Sequence, residues 1–264
     1  MMSYIDAIIL GVVQGITEFL PISSSGHLII VRDIFTISIS HVLVFDVLLH
    51  IATLFAIFVY FYKDIIAIAR EIGRMTLFQK GDTELQQLTW ALLIGTLPAG
   101  VVGFFFHGFI ESVIRNPVVV IYALLFGSGV FIVAEYYARM DTGVTVRNGL
   151  GVGLFQVLAF IPGISRSGIT IAGGLLHGMN RVDSARFSFL LGIPVIIGAG
   201  LKIMLDITEW SVISYQMLAG SFVAFLVGLL SIIFLMRFLR TQKLHMFVLY
   251  RIVLAVVLII FTLS

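Results

Sequence analysis

Six runs of roughly twenty mainly apolar residues, at 42–62, 88–110, 118–138, 187–207, 215–239 and 246–263, leave this chain few ways to fold in water. At about 1.5 Å of rise per residue, each run spans a hydrocarbon layer of about 30 Å as a helix. The rest of the sequence is too poor in charge to cover them: 11% of the residues are charged, against about 25% in soluble domains. Mean hydropathy is +1.13. A soluble enzyme of 264 residues is therefore excluded, and so is a disordered chain. The formal charge of +2 rests on too few groups to indicate a nucleic-acid partner. The lack of cysteine removes disulfides, thiol nucleophiles and Cys-ligated metal centres. The chain reads as an all-α polytopic integral membrane protein. Residues 1–20 contain Asp6 and Glu18 but no Lys or Arg, so they lack the basic region of a secretory signal and read as mature protein.

Two further apolar stretches, 4–31 and 149–178, are interrupted by Pro, Gly and clusters of hydroxyl or charged side chains. Neither reads as a plain span. Orientation follows from the basic residues, since Lys and Arg gather on the cytoplasmic side. Eleven lie in 63–87, 139–148, 179–186 and the 237–245 hinge, against Arg32 and Arg115 in the remaining loops. With 139–148 and 179–186 on one side, 149–178 enters and leaves from the cytoplasmic face. Read the same way, 4–31 dips in from the outer face. A shift of 142 residues brings Gly11, Gln14, Ile22, Ser23, Ser25 and Gly26 onto Gly153, Gln156, Ile164, Ser165, Ser167 and Gly168. It also brings Phe45, Leu48, Leu49, Ile51 and Asp64 onto Phe187, Leu190, Leu191, Ile193 and Asp206. The expected architecture is one membrane domain of two inverted-topology repeats, 1–138 and 139–264, each a re-entrant helical hairpin plus three transmembrane helices. Such repeats put a site near the midplane, where the broken segments meet.

The first broken segment reads Gln14-Gly-Ile-Thr-Glu18 and then Pro21-Ile-Ser23-Ser24-Ser25-Gly26-His27. Gln14 and Glu18 are four apart and share a helix face. Pro21 and the serines stop that helix, and a Ser-capped helix start offers backbone N–H groups to an anion. His27 lies three residues past Ser24, within reach of the same face. A kinked helix with serines bonded back to the main chain is the plainer reading. It leaves Glu18 unexplained, because a charge inside an apolar stretch costs about 2.5–3.5 kcal/mol or more and marks a functional site. The second segment reads Pro162-Gly-Ile-Ser165-Arg166-Ser167-Gly168-Ile-Thr170. Arg suits forked recognition of phosphate or carboxylate. The run reads as an anion cradle, or as an Arg paired to Glu18 across the repeats.

Other polar residues carry less. His41, His50, His107, His177 and His245 are scattered without metal-ligand spacing and read as structural. Asp46 either lines the cavity or caps its span. Lys202 and Asp206 read as a local ion pair, and Glu135 and Arg251 as snorkelling side chains. Residues 63–87 read as a solvated amphipathic connector.

With both motifs in view, the chain resembles the undecaprenyl-diphosphate phosphatase family, the bacitracin-resistance type. The likeness rests on (Glu/Gln)-x-x-x-Glu at Gln14 and Glu18, Pro-x-Ser-Ser-(Ser/Thr)-Gly-His at 21–27 and Pro-Gly-x-Ser-Arg-Ser-x-x-Thr at 162–170. It extends over nearly the whole chain, through Leu-Pro-Ala at 97–99 and Tyr250-Arg251. What it implies is hydrolysis of a C55 polyprenyl diphosphate to the monophosphate and inorganic phosphate, recycling the lipid carrier of cell-wall synthesis. It also implies a divalent cation (Mg²⁺ or Ca²⁺), a homodimer, and a multi-pass place in a bacterial plasma (inner) membrane, with reaction at the outer face.

On this reading Ser24, His27, Glu18 and Arg166 are catalytic, and Glu18 is also the metal ligand. Ser24 is the nucleophile with His27 as its base or as acid to the leaving group; alternatively His27 attacks or activates water. Gln14, Ser23, Ser165, Ser167 and Thr170 bind substrate. Gln14 stands where many family members have Glu, which leaves Glu18 the one acid of that motif. A secondary transporter or lipid-carrier flippase is equally compatible with inverted repeats. It does not account for Ser24 and His27 opposite an Arg with hydroxyl neighbours.

Overall fold

The computed structural model describes residues 2–77, 81–113, 117–206 and 212–263, with side chains described in these ranges except at 106–113, 117, 203, 206 and 261–263. The described residues form helices and the turns between them. In order the helices are α1 (Tyr4–Phe19), α2 (Ser24–Ile34), α3 (Val42–Tyr60), α4 (Tyr62–Thr76), α5 (Thr83–Val113) and α6 (Pro117–Tyr137). Then come α7 (Val146–Val157), a 3-10 turn at Leu158–Phe160, α8 (Arg166–Leu176), α9 (Arg181–Asp206), α10 (Tyr215–Phe238) and α11 (His245–Leu263). Among the described residues, five helices (α3, α5, α6, α9 and α10) are long and apolar enough to cross a membrane. The run expected at 246–263 lies in α11, a shorter apolar helix over its described part.

Helices α5 and α9 begin several residues before their apolar runs, at Thr83 and Arg181. Asp82 Oδ1 accepts from the N–H groups of Glu84 and Leu85, and Asn180 Oδ1 accepts from Asp183, so polar caps start each helix ahead of its greasy part. The 179–186 loop therefore shrinks to a short turn. The connector after α3 holds a helix, α4, that carries Lys63, Arg70 and Arg74.

Both broken segments are built alike. A capping box starts α1: Ser3 N–H donates to Asp6 Oδ2 at 2.9 Å, and Asp6 N–H donates to Ser3 Oγ at 3.1 Å. Helix α1 stops ahead of Pro21, whose ring disfavours helical geometry in the residue before it. Ser23 then turns the chain at φ 77° and caps α2, its Oγ accepting from Gly26 N–H at 3.4 Å. One shift of 142 residues on, Ser165 turns the chain at φ 73° and caps α8 through Gly168 N–H at 3.2 Å. A left-handed backbone costs a residue with a Cβ about 1–2 kcal/mol. Each loop carries that cost at the same register.

Glycines set how close the helices lie. Helix α1 packs along α10, and α7 along α5. A Cβ at Gly15 would stand 2.8 Å from the Gly228 nitrogen, and one at Gly153 would stand 2.8 Å from the Gly95 carbonyl carbon. Small residues are what allow helix backbones to approach this closely inside a membrane. Aromatic packing fills the centre, with Phe19 edge-on to Phe189 at 5.5 Å between ring centroids.

Two residues expected to snorkel do the opposite. Arg251 has no exposed surface. Its Nη1 donates to the carbonyls of Ile164 (2.9 Å) and Pro21 (3.4 Å), and its Nη2 to those of Gly163 (3.0 Å), Leu124 (3.1 Å) and Ala123 (3.2 Å). The Phe131 ring lies 4.9 Å from its guanidinium carbon. Main-chain carbonyls that the two loops cannot use in a helix are thus satisfied by one buried cation, which ties both apices together. Glu135 is likewise buried: it pairs with Arg181 and accepts from Leu244 N–H at 2.8 Å, joining α6, α9 and the start of α11. Of the expected Lys202–Asp206 pair, the Asp206 side chain lies outside the described residues.

Candidate active site

The two serine-capped loops both line a cavity of about 340 Å³. Its polar wall includes Glu18, Ser24, Asp46, His50, Gln156 and Arg166, and its apolar wall comes mainly from α3 and the second half of α9. Helices α2 and α8 both begin at this cavity, their first turns capped by Ser23 and Ser165, so the positive ends of two helix dipoles lie at its wall.

Glu18 is the hub. Its Oε1 accepts from Arg166 Nη2 at 2.7 Å. Its Oε2 accepts from Ser24 Oγ at 2.7 Å and from Gln14 Nε2 at 3.0 Å. The Nε2 of His50 lies 3.6 Å from the same oxygen. A carboxylate 6% exposed is thereby held by a cation and two neutral donors, which is what makes a charge tolerable at this depth. The motif spacings explain it: Gln14 and Glu18 are one turn apart on α1, and the loop returns Ser24 to the end of that helix. Arg166 arrives from the other loop, with Gly192 opposite it lacking the Cβ that would collide with the guanidinium. Its second nitrogen, Nη1, is buried without a hydrogen-bond partner among the described residues.

Ser23 and Ser165 also line the cavity, while their hydroxyls cap the helices behind them. Gln14 is fully buried behind Glu18. Ser167 and Thr170 are not at the wall. Thr170 Oγ1 donates back to the Arg166 carbonyl at 2.7 Å and lies 2.6 Å from Ser188 Oγ, so these residues stiffen the first turn of α8 from within.

His27 departs most from its expected partnership with Ser24. Its Nδ1 lies 2.7 Å from the Ser23 carbonyl and its Nε2 lies 2.7 Å from the Tyr250 hydroxyl, with the two rings stacked. Both ring nitrogens are engaged away from Ser24, because the turn of α2 that brings Ser24 to Glu18 carries His27 toward α11. The group in contact with the Ser24 hydroxyl is Glu18.

Three residues at the wall were given little or no weight in the sequence. His50, read as structural, stands beside Glu18, fixed by Nδ1 against the Asp46 carbonyl at 2.7 Å. Asp46, left between two readings, lines the cavity and pairs with Arg32. The spacing of Asp46 and His50, one helical turn, was the available signal. Gln156 was visible only as the repeat partner of Gln14.

The sequence matches the family described as "Bacitracin resistance protein BacA" over residues 7–257. A protein of Desulforudis audaxviator called undecaprenyl-diphosphatase is 38% identical over 99% of both chains. Another of that name from Trichlorobacter lovleyi is 38% identical over 95% of this chain and 94% of its own. A third, from Mycobacterium ulcerans, is 41% identical over 98% of this chain and 96% of its own.

Proposed function

The chain belongs to the bacitracin resistance protein BacA family, and on that footing we propose that it is an undecaprenyl-diphosphate phosphatase: it removes the terminal phosphate of a C55 polyprenyl diphosphate. The observation that carries the reading is the contact of Ser24 and Arg166 with the two oxygens of one buried carboxylate, Glu18, at the wall of the cavity.

Phosphoryl transfer leaves the protein mainly positioning and charge stabilisation to supply. Arg166 and the N-terminal turns of α2 and α8 take up the oxygens of the terminal phosphate. Ser24 Oγ attacks its phosphorus, its proton passes to Glu18 Oε2, and the bridging P–O bond breaks. The departing polyprenyl monophosphate takes that proton. Water then attacks the phosphoserine, gives one proton to Glu18, and inorganic phosphate leaves as Ser24 recovers a proton from Glu18. His27 positions the Ser23–Ser24 turn through the Ser23 carbonyl. The apolar wall along α3 and α9 leaves the first prenyl units in contact with Val47, Ile51 and Val195.

A divalent cation would find few protein ligands here. Among the described residues no three His, Asp or Glu side chains gather to make a protein-built site. The chain offers Glu18, and Gln14 Oε1, which is buried without a partner among the described residues. A bound Mg²⁺ or Ca²⁺ would neutralise charge on the diphosphate.

The repeat reading belongs to the same proposal: 1–138 and 139–264 are inverted halves, with 4–31 and 149–178 re-entrant. Its support is the shared positive-φ serine and the matched pairings of α1 with α10 and α7 with α5. The family likeness carries the bacterial inner membrane and a homodimer as further proposals. A transporter of the same architecture has no use for a serine hydroxyl bonded to a buried carboxylate.

The test is phosphate release from C55 diphosphate by purified protein in detergent, with and without EDTA. The expected result is cation-dependent release that Ser24→Ala and Arg166→Ala both lose. Full activity in Ser24→Ala would remove it as the nucleophile.

A further inference from the structure

Gln156 sits near the end of α7 and is 2% exposed, yet neither its Oε1 nor its Nε2 has a hydrogen-bond partner among the described residues. It lines the cavity together with Arg166. A primary amide buried this deeply keeps unmet donors and an unmet acceptor only where something else meets them.

The 142-residue shift shows why it has no partner within the protein. Gln14, its counterpart, spends its Nε2 on Glu18, one turn further along α1. The counterpart of Glu18 is Phe160, so the carboxylate that would hold Gln156 is missing. In the same way Arg166 stands where the first loop has Ser24. One loop thus supplies the carboxylate and the hydroxyl, and the other supplies a guanidinium and an amide. Arg166 Nη1, packed against Gly192, is likewise without a hydrogen-bond partner among the described residues. An amide without partners at the wall that also carries Glu18, Ser24 and Arg166 describes a place for an oxygen of a phosphoryl chain.

We propose that Gln156 is a substrate-binding residue, its Nε2 donating to an oxygen of the diphosphate head group and its Oε1 accepting from a water that accompanies it. This rests on the phosphatase reading. The amide is neutral and bidentate. It reads the diphosphate without adding charge, while Arg166 and Glu18 already fix the charge balance of the site.

The experiment compares Gln156→Leu and Gln156→Glu with the wild type in detergent, by phosphate-release kinetics on polyprenyl diphosphate and by thermal unfolding. Loss of a hydrogen bond to a charged group raises KM for Gln156→Leu about tenfold or more, with kcat within about threefold and the melting temperature little changed. Gln156→Glu places a carboxylate against an anion. It raises KM further at pH 8, and relative to wild type it recovers toward pH 5, where the carboxyl can be protonated and donate. A KM unchanged in both variants overturns the proposal. So does a loss in both that follows the melting temperature and ignores pH. Binding of the intact diphosphate lipid is measured in parallel in a Ser24→Ala background, with and without Gln156→Leu. If the wild type releases no phosphate, the phosphatase reading has failed, and this binding comparison still decides Gln156: weaker binding supports the contact, and equal binding overturns it.

Discussion

Glu18 accepts from Arg166, Ser24 and Gln14 at once, and each donor does something different to it. Arg166 cancels its charge in a place where water cannot. Ser24 lends it a proton to take. Gln14 orients the oxygen that takes it. Removing these functions one at a time gives separable outcomes. Glu18→Gln keeps the shape of the site and loses the base, so kcat is expected to fall by about 10²–10⁴. Arg166→Ala leaves a carboxylate buried without its cation, and breaking such a pair costs about 3–5 kcal/mol. The combined Glu18→Gln, Arg166→Ala variant removes both charges, and its melting temperature in detergent is expected to lie well above that of Arg166→Ala alone while its activity stays absent. Equal melting temperatures for the two would show that the ion pair does not hold the loops together.

At the scale of the element, the two broken segments depend on features that a motif displays and on features that it hides. Pro21, Ser23, Pro162 and Ser165 announce where the helices stop and restart, and the structure puts the breaks there. Nothing in 4–31 or 149–178 announces Arg251. Apart from Ser128 Oγ its partners are main-chain carbonyls up to 230 residues away in sequence, and carbonyls carry no residue signature. The His27–Tyr250 contact, across 223 residues, was unreadable for the same reason, and this is why spacing alone assigned His27 to Ser24. Helix contacts through glycine lie between these cases, since Gly11 and Gly153 were matched by the repeat but their neighbours were not. These contacts give a comparison. Gly15→Ala puts a Cβ against the backbone of Gly228 and is expected to lower the melting temperature by several degrees. Gly129→Ala, where nothing lies within 4 Å of the added carbon, should be neutral or stabilise by about 0.5–1 kcal/mol through helix propensity. Thermal unfolding of the two variants side by side checks the close approach of α1 and α10.

For the whole molecule, apolar length and loop charge made the membrane class legible, because a twenty-residue apolar helix has few alternatives. They also gave a sidedness, and a chain without cysteine allows it to be read directly. If both broken segments are re-entrant, the two ends of each lie on one side: Tyr4 with Ser38, and Gly143 with Asn180. The three spans between Ser38 and Gly143 put these pairs on opposite faces. Single cysteines at the four positions, all exposed, are treated in intact cells with a membrane-impermeant maleimide. Tyr4→Cys and Ser38→Cys are expected to react at once, and Gly143→Cys and Asn180→Cys only after the membrane is permeabilised. Reaction of Tyr4→Cys from the side opposite Ser38→Cys would make the first segment a full crossing. The two halves would then no longer be inverted copies, and the meeting of Ser24 and Arg166 on Glu18 would need another explanation than a shared midplane axis.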